Sequence, residues 1–268
     1  MPSYDDTVLT EQHMWGLTPL DQLWCRIKFR QARFDGDFTP PGDKPTIFYP
    51  SYLGGINWGG VSVDPDRKLM VVNWSRMANY VRTIPRAEAD KMGLQISQDG
   101  GSHVGQPVPQ MGTPFALFTG PFLSLLGAPC TQPPFGMIAV VDLQTRKTLW
   151  QRTLGTSADS GPFDIRSHLP LPMGVPNAGG SLTTRGGLTF IAATQERAIR
   201  AFDTKSGALI WKASLPAGGH ASPMSYISPK SGRQFVVIAA GGNATLHSGA
   251  GDYVVAYALP AKGKINGN

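Results

Sequence analysis

The residues able to do chemistry in this chain are a few polar side chains set among glycines. The string 55–60, Gly55-Ile56-Asn57-Trp58-Gly59-Gly60, holds an amide and an indole between glycines on both sides. Glycine lets a backbone come close to a ligand, while Asn57 and Trp58 add a hydrogen-bonding group and a flat apolar surface. The plainer account is a strand start with a packing Trp. Asn73 follows the apolar run Leu69-Met70-Val71-Val72, where an inner strand would reach the end of a sheet. A lone Asn in such a place is otherwise a turn former. The glycine-rich stretch GGNATLHSGAGD (241–252) places Asn243 and His247 between two strongly apolar strands. It lacks both the G-x-x-x-x-G-K-S/T pattern and a G-x-G-x-x-G ahead of a helix, so it gives no support to a phosphate cradle. Its polar groups either meet a polar substrate or shape an ordinary loop.

Other candidates read more blandly. Glu196 and Arg197 in TQER (194–197) read as a turn with a surface ion pair, a feature worth little. Asn177 stands just before a strand. The five histidines, His13, His103, His168, His220 and His247, have no metal-ligand spacing on one element. GSHVG and GGHAS suit loop histidines bonded to backbone. No G-x-S-x-G with a matching Asp and His is present, and no paired carboxylates stand out, so a hydrolase has no support. No catalytic residue and no metal ligand is assigned within this chain.

These side chains need a scaffold, and the composition points to one rich in turns. Of 268 residues, 32 are Gly and 23 are Pro, while 41% are hydrophobic and only 16% charged. That combination argues for a packed, turn-rich fold and against disorder. The net charge of +6 is scattered rather than clustered, so a nucleic-acid partner is not expected. Residues 1–20 lack the features of a signal peptide, and no apolar run reaches the roughly 18–20 residues of a membrane helix. Cys25 and Cys130 fit either two buried thiols or one long-range disulfide, and do not fix the compartment.

Repeats give the architecture. GMIAVVDLQTRKTLWQRTLG (136–155) and AIRAFDTKSGALIWKASLP (198–216) each carry an apolar strand, an Asp, a polar turn, a second strand and a Trp. The pairs Asp142/Asp203 and Trp150/Trp211 share one offset. Each unit predicts a hairpin whose Asp caps the turn and whose Trp packs between neighbouring sheets. Ahead of the strands lie Gly59-Gly60, Gly179-Gly180 and Ala221-Ser222. Blades are therefore expected at about 54–155, 179–216 and 221–260, the first interrupted by an insertion at 75–135. The last blade lacks a Trp-bearing fourth strand, so the ring is not completed from this sequence. The insertion, partly helical and then rich in Gly, Pro and Ser, reads as a flap over the sheet ends. Thr18-Pro19 predicts a helix start, with Leu20, Leu23, Trp24 and Ile27 at helical spacing through about Arg33.

The strings MWGLTPLDQLWCRIKFRQARFDGDFTPP (14–41), GGINWGGVSVDP (54–65), PCTQPPFGMIAVVDLQTRKTLW (129–150), TQERAIRAFDTKSGALIWKASLPAGGHASPMSY (194–226) and GDYVVAYALP (251–260) closely resemble the membrane-bound PQQ-dependent dehydrogenases of the glucose/quinate/shikimate group. The resemblance implies an all-β fold. The chain would be a partial β-propeller, about three four-stranded blades of an eight-bladed quinoprotein propeller, with an N-terminal helix and a long inserted loop. It would form the C-terminal segment (1–268) of one such domain, on the periplasmic side of the bacterial inner membrane, with its anchor and the N-terminal half of the propeller outside this chain. PQQ would sit on the propeller axis with a divalent cation, Ca or Mg, held mainly by residues outside this chain. A sugar or cyclic polyol would be oxidised, with electrons passed to ubiquinone, and the isolated fragment would be inactive because the catalytic base lies in the first half.

Carried over residue by residue, the resemblance places Trp58, with its flanking glycines, and Asn73 beside the cofactor, Asn57 next to them at a position that varies within the group, and Asn243 at the substrate. The position of Asn243 is commonly His in glucose-oxidising members, so Asn there departs from the glucose pattern. Glu196 stands where an Asp influences cofactor or metal retention in some members. INWGG and VVNWSRMANYV are closer to the quinate/shikimate branch. The alternative is a non-catalytic β-propeller scaffold or binding protein sharing the Trp hairpin.

Overall fold

A computed structural model describes residues 4, 8–52, 54–94, 105–109 and 111–259. His103 and the polar tail after Leu259 lie outside them, as does part of the glycine-rich insertion. Helix α1 (Pro19–Gln31) and strand β1 (Thr46–Phe48) precede three antiparallel blades. The first blade is β2 (Val61–Asp64), β3 (Leu69–Ser75), β7 (Gly136–Asp142) and β8 (Lys147–Thr153), paired in that order. The second is β9 (Ser181–Thr183), β10 (Leu188–Ile191), β11 (Ala198–Asp203) and β12 (Leu209–Ser214). The third has three strands among the described residues, β13 (Met224–Ile227), β14 (Gln234–Gly242) and β15 (Ala250–Ala258).

The repeated Asp and Trp do what their spacing predicts. Asp142 Oδ1 accepts from Gln144 N and Thr145 N, and Asp203 Oδ1 from Ser206 N, so each carboxylate caps its own hairpin turn. Trp150 crosses to the next blade, where its Nε1–H donates to Thr204 O at 2.9 Å. A Cβ on Gly207 would lie 2.6 Å from that indole, so the turn facing Trp150 has to carry glycine. Trp211 meets Tyr257 of the third blade edge-on, ring centroids 4.9 Å apart.

Alternation along β3 splits its side chains between two cores. Leu69 and Val71 join Ile138, Val140, Ile191 and Phe202 in a dry layer between the first and second blades. Val72 and Trp74 face the other way, with Met137 and Ala139. Ile199, Leu215, Val236 and Ile238 fill the layer between the second and third blades.

Described parts of the insertion form a sheet of their own. Strands β4 (Asn79–Pro85), β5 (Pro107–Pro109) and β6 (Phe115–Pro121) join β1 in a fourth sheet of order β1-β4-β6-β5. Between β4 and β5 lies the short helix α2 (Arg86–Lys91). The helix α1 starts as expected, with Thr18 Oγ1 accepting from Asp21 N and Pro19 at the first position. Its inward face does not follow its apolar spacing. The buried side is Asp21 and Cys25, while Leu20, Leu23 and Ile27 face outward. Two constraints set this. Asp21 accepts from Leu17 N and Leu126 N, and Cys25 forms a disulfide with Cys130.

Candidate cofactor and substrate wall

The glycine pairs ahead of the first two blades are where neighbouring blades touch. A Cβ on Gly59 would fall inside the backbone of Gly179 and Gly180, and one on Gly179 inside the carbonyl of His220. Only hydrogen at these positions lets the innermost strands stack. Ser62 Oγ and Ser181 Oγ then meet at 2.6 Å, and Thr183 Oγ1 donates to Val63 O at 3.1 Å. The seam runs on into the third blade. His220 Nδ1 contacts Ala193 O at 3.0 Å and Nε2 contacts Ser248 Oγ at 2.8 Å. Ser248 N in turn donates to Asn243 O. The stretches holding Trp58, Asn73 and Asn243 are thereby joined at one end of three neighbouring blades.

Their side chains differ in what they leave available. Trp58 is 62% exposed despite standing where its blade begins. Asn57 Oδ1 accepts from Trp58 N at 2.7 Å, which fixes the turn that presents the indole. Asn73 is buried; its Nδ2 donates to Asn177 Oδ1 at 2.7 Å and to Gly179 O at 2.9 Å, while its Oδ1 has no partner. Asn243 Oδ1 accepts from Leu246 N, which shapes the glycine-rich loop. His247 in that loop adopts φ 51°.

Several residues at this end carry more than their sequence context suggested. Asn177 is buried, and its Nδ2 also donates to Trp74 O, so it joins the first two blades from both ends of its amide. Glu196 is not a surface residue. It is 4% exposed and accepts from Thr156 N, Lys212 Nζ and Arg200 Nη2. Burial pushes its carboxyl up, yet the Arg200 guanidinium, Lys212 and the Thr156 N–H together hold it below the ordinary value. Arg200 Nη1 is buried without a partner. Burial pushes the His220 imidazole down, against a smaller opposing pull from Ala193 O. The doubled glycines were the one sequence signal of this seam. The His220–Ser248 contact had none, because its partners lie 28 residues apart in separate loops.

A flat cofactor with polar edges fits this wall on two observations, the exposed indole of Trp58 and the orphaned buried oxygen of Asn73. A divalent cation does not find a ligand set here. Among the described residues, no three His, Cys, Asp or Glu side chains converge. No helix among them is long and apolar enough to cross a membrane.

Comparison with known proteins gives this wall its context. The family model described as PQQ: Glucose/ethanol/alcohol dehydrogenase, beta-propeller domain, matches residues 1–236. A probable quinate dehydrogenase (quinone) of Xanthomonas campestris pv. juglandis is 46% identical over 97% of this chain and 33% of its own length. The quinate/shikimate dehydrogenase (quinone) of Acinetobacter baylyi is 44% identical, over 97% of this chain and 32% of its own length. The quinoprotein glucose dehydrogenase of Escherichia coli is 41% identical, over 94% and 31%. The chain thus spans about a third of the length of the curated relatives it matches. With Trp-pinned blades meeting at a glycine seam and a matching family model over most of its residues, this chain belongs to the PQQ-dependent glucose/ethanol/alcohol dehydrogenase β-propeller family.

Proposed function

We propose that this chain is one part of a PQQ-dependent dehydrogenase that oxidises a CH–OH group of a sugar or cyclic polyol, of quinate/shikimate or glucose type, and passes the electrons to ubiquinone. The observation that carries this reading is the exposed Trp58 indole at the glycine seam of the blades. PQQ, when bound, supplies the two-electron acceptor for the substrate carbon. This chain supplies a wall. Trp58 offers a stacking face, held by Asn57, and the free Oδ1 of Asn73 offers an acceptor from behind. Asn243 lies at the substrate side. The catalytic base and the ligands of a Ca or Mg ion belong to the remaining N-terminal half of the propeller, so the isolated chain is inactive.

The substrate class rests on the activities named for the relatives, with the quinate enzymes at 46% and 44% identity. Asn243, departing from the His of glucose-oxidising members, favours the quinate/shikimate side. Placement on the periplasmic side of the inner membrane is supported by the Cys25–Cys130 disulfide, since such bonds persist in oxidising compartments.

The test is reconstitution of the full-length parent with PQQ and a divalent ion, followed by dye reduction with quinate, shikimate, glucose and glycerol. Quinate- or shikimate-dependent reduction is the expected result. A parent that binds no PQQ would overturn the enzyme reading and leave a scaffold.

A further inference from the structure

The loop that carries Asn243 is anchored by a buried polar pair drawn from two different loops. Of residues 243–249, only Leu246 and Ser248 are buried. Leu246 supplies apolar packing. Ser248 instead places its hydroxyl 2.8 Å from Nε2 of His220, itself 5% exposed. The other ring nitrogen, Nδ1, lies 3.0 Å from Ala193 O. A carbonyl oxygen can only accept, so Nδ1 carries the proton and Nε2 of the neutral ring is an acceptor. The Ser248 hydroxyl therefore donates to His220. It has a second acceptor in reach, Asn243 O at 3.4 Å, which its one hydrogen does not serve at the same time.

The fit around this pair is close. A Cβ on Gly218 would lie 2.6 Å from Ser248 Cβ and 3.0 Å from His220 Nε2, so the two loops meet with only hydrogen between them. Gly218 N donates to Ser248 O, and Gly242 N donates to Gly218 O, which ties both ends of the loop. Ser248 N donates to Asn243 O, and Asn243 Oδ1 accepts from Leu246 N. A shift of Ser248 is thereby passed to Asn243. On its other side, His220 O abuts Gly179, whose own O accepts from Asn73 Nδ2. His220 thus stands between the cofactor wall and the substrate loop. The charged groups around it are few. Glu196 and Arg197 stand on the connection that holds Ala193, His247 on the loop that holds Ser248, and Asp252 just past that loop. Glu196 is engaged by Arg200 and Lys212, and Arg197 Nη1 donates to Pro216 O. The stretches 172–180 and 216–222 carry no other titratable side chain than His220.

We propose that His220 and Ser248 are positioning residues for substrate binding: the neutral imidazole holds the Ser248 hydroxyl, and through it the loop that sets Asn243 against the substrate. The proposal rests on the reading of Asn243 as a substrate-side residue. A proton taken up at Nε2 turns that nitrogen into a donor, so the Ser248 hydroxyl can no longer donate to it. Its hydrogen then turns to Asn243 O, and the loop is reset. Burial holds the imidazole below its ordinary value, so the holding form is the one present at neutral pH.

Dye-linked kinetics of the full-length parent, with PQQ and quinate, test this. In the unmodified parent the KM for quinate should rise about three- to tenfold from about pH 7.5 to about pH 5, with kcat changing less. His220→Gln keeps an acceptor for Ser248 and does not titrate, so it should remove that acid rise. Ser248→Ala should raise KM about three- to tenfold at about pH 7.5 and leave kcat within about twofold. A purely structural role would lower kcat through a smaller folded fraction and leave KM alone. An unchanged KM in Ser248→Ala, or an acid rise that persists in His220→Gln, would overturn the proposal. Hydrogen exchange, corrected for intrinsic rates, reads the loop with neither substrate nor variant. Residues 243–249 should lose protection between about pH 7.5 and about pH 5 while β14 keeps its own. Equal protection of the loop at both would sink the idea, even where a variant fails to fold. If the parent shows no PQQ-dependent dye reduction, the dehydrogenase reading fails, and exchange still decides whether His220 holds the loop.

Discussion

Asn73 Nδ2 donates to Asn177 Oδ1 at 2.7 Å, joining residues 104 positions apart across the seam between the first two blades. Asn177 answers through Nδ2 to Trp74 O, and Ser75 Oγ donates to Asn177 O. This polar weld lies at the edge of an apolar layer, where an unpartnered amide is costly. Asn73→Ala and Asn177→Ala should each lower unfolding free energy by about 1–3 kcal/mol. A double-mutant cycle by urea denaturation should give a coupling of about 0.5–3 kcal/mol. Additive losses would mean the amides act separately.

Gly59→Ala should be among the most damaging of single-methyl additions. The new carbon would enter the backbone of Gly179 and Gly180, and relief requires the blades to part. A loss of about 1–3 kcal/mol or more is expected by thermal unfolding. Gly55→Ala is the control, because a Cβ there meets nothing within 4 Å. It should fall within about 0.5 kcal/mol of the unmodified chain.

Acid should weaken the seam in two stages. His220 and Glu196 both have folded pKa values below their ordinary ones, 6.5 and 4.5. A lowered folded pKa gives stability that is present above the unfolded value and lost as pH falls through the folded one. The His220 contribution should therefore fade as pH drops below about 6.5, and that of Glu196 below about 4.5. Glu196→Gln should flatten the lower limb of a stability–pH curve. At neutral pH it should cost about 3–5 kcal/mol, because it strips the counter-charge from Arg200 and Lys212.

Reduction of Cys25–Cys130, or Cys25→Ser with Cys130→Ser, should cost about 2–5 kcal/mol. Helix α1 buries little else, so hydrogen exchange should rise first across residues 19–31. Unchanged protection there would show that α1 is held by its aromatic contacts instead.

Trp58→Ala separates cofactor binding from folding. The indole is mostly exposed, so stability should move by no more than about 0.5 kcal/mol. In the full-length parent, loss of a stacking face worth about 0.5–1.5 kcal/mol should weaken PQQ binding up to about tenfold, measured by equilibrium titration. Unchanged affinity would remove Trp58 from the cofactor wall.

The blades were legible in sequence because their signals are local. Asp142 and Asp203 cap turns two or three residues away, and the Trp positions share the same offset from them. The fourth sheet was not, because β1 pairs with β4 across more than thirty residues and β4 with β6 across about as many, with no repeat to relate them. The burial of Glu196 has no local signal, because its partners come from the connection after β8 (Thr156) and from β11 and β12 (Arg200, Lys212). The apolar spacing of α1 marks a helix, but its inward face is set by the Asp21 bonds and the disulfide rather than by its leucines. The wall residues stood out by type. That Asn73 spends its amide on a blade seam could be seen only once Asn177 was beside it.

Traced through covalent bonds alone, the chain is a closed ring from Cys25 to Cys130 with two tails. The ring holds β1, the first two strands of the first blade and the whole insertion sheet. The second and third blades hang from it at Cys130, just ahead of β7. One backbone cut inside the ring therefore separates nothing, and nicked protein should run as a single band until a reductant is added.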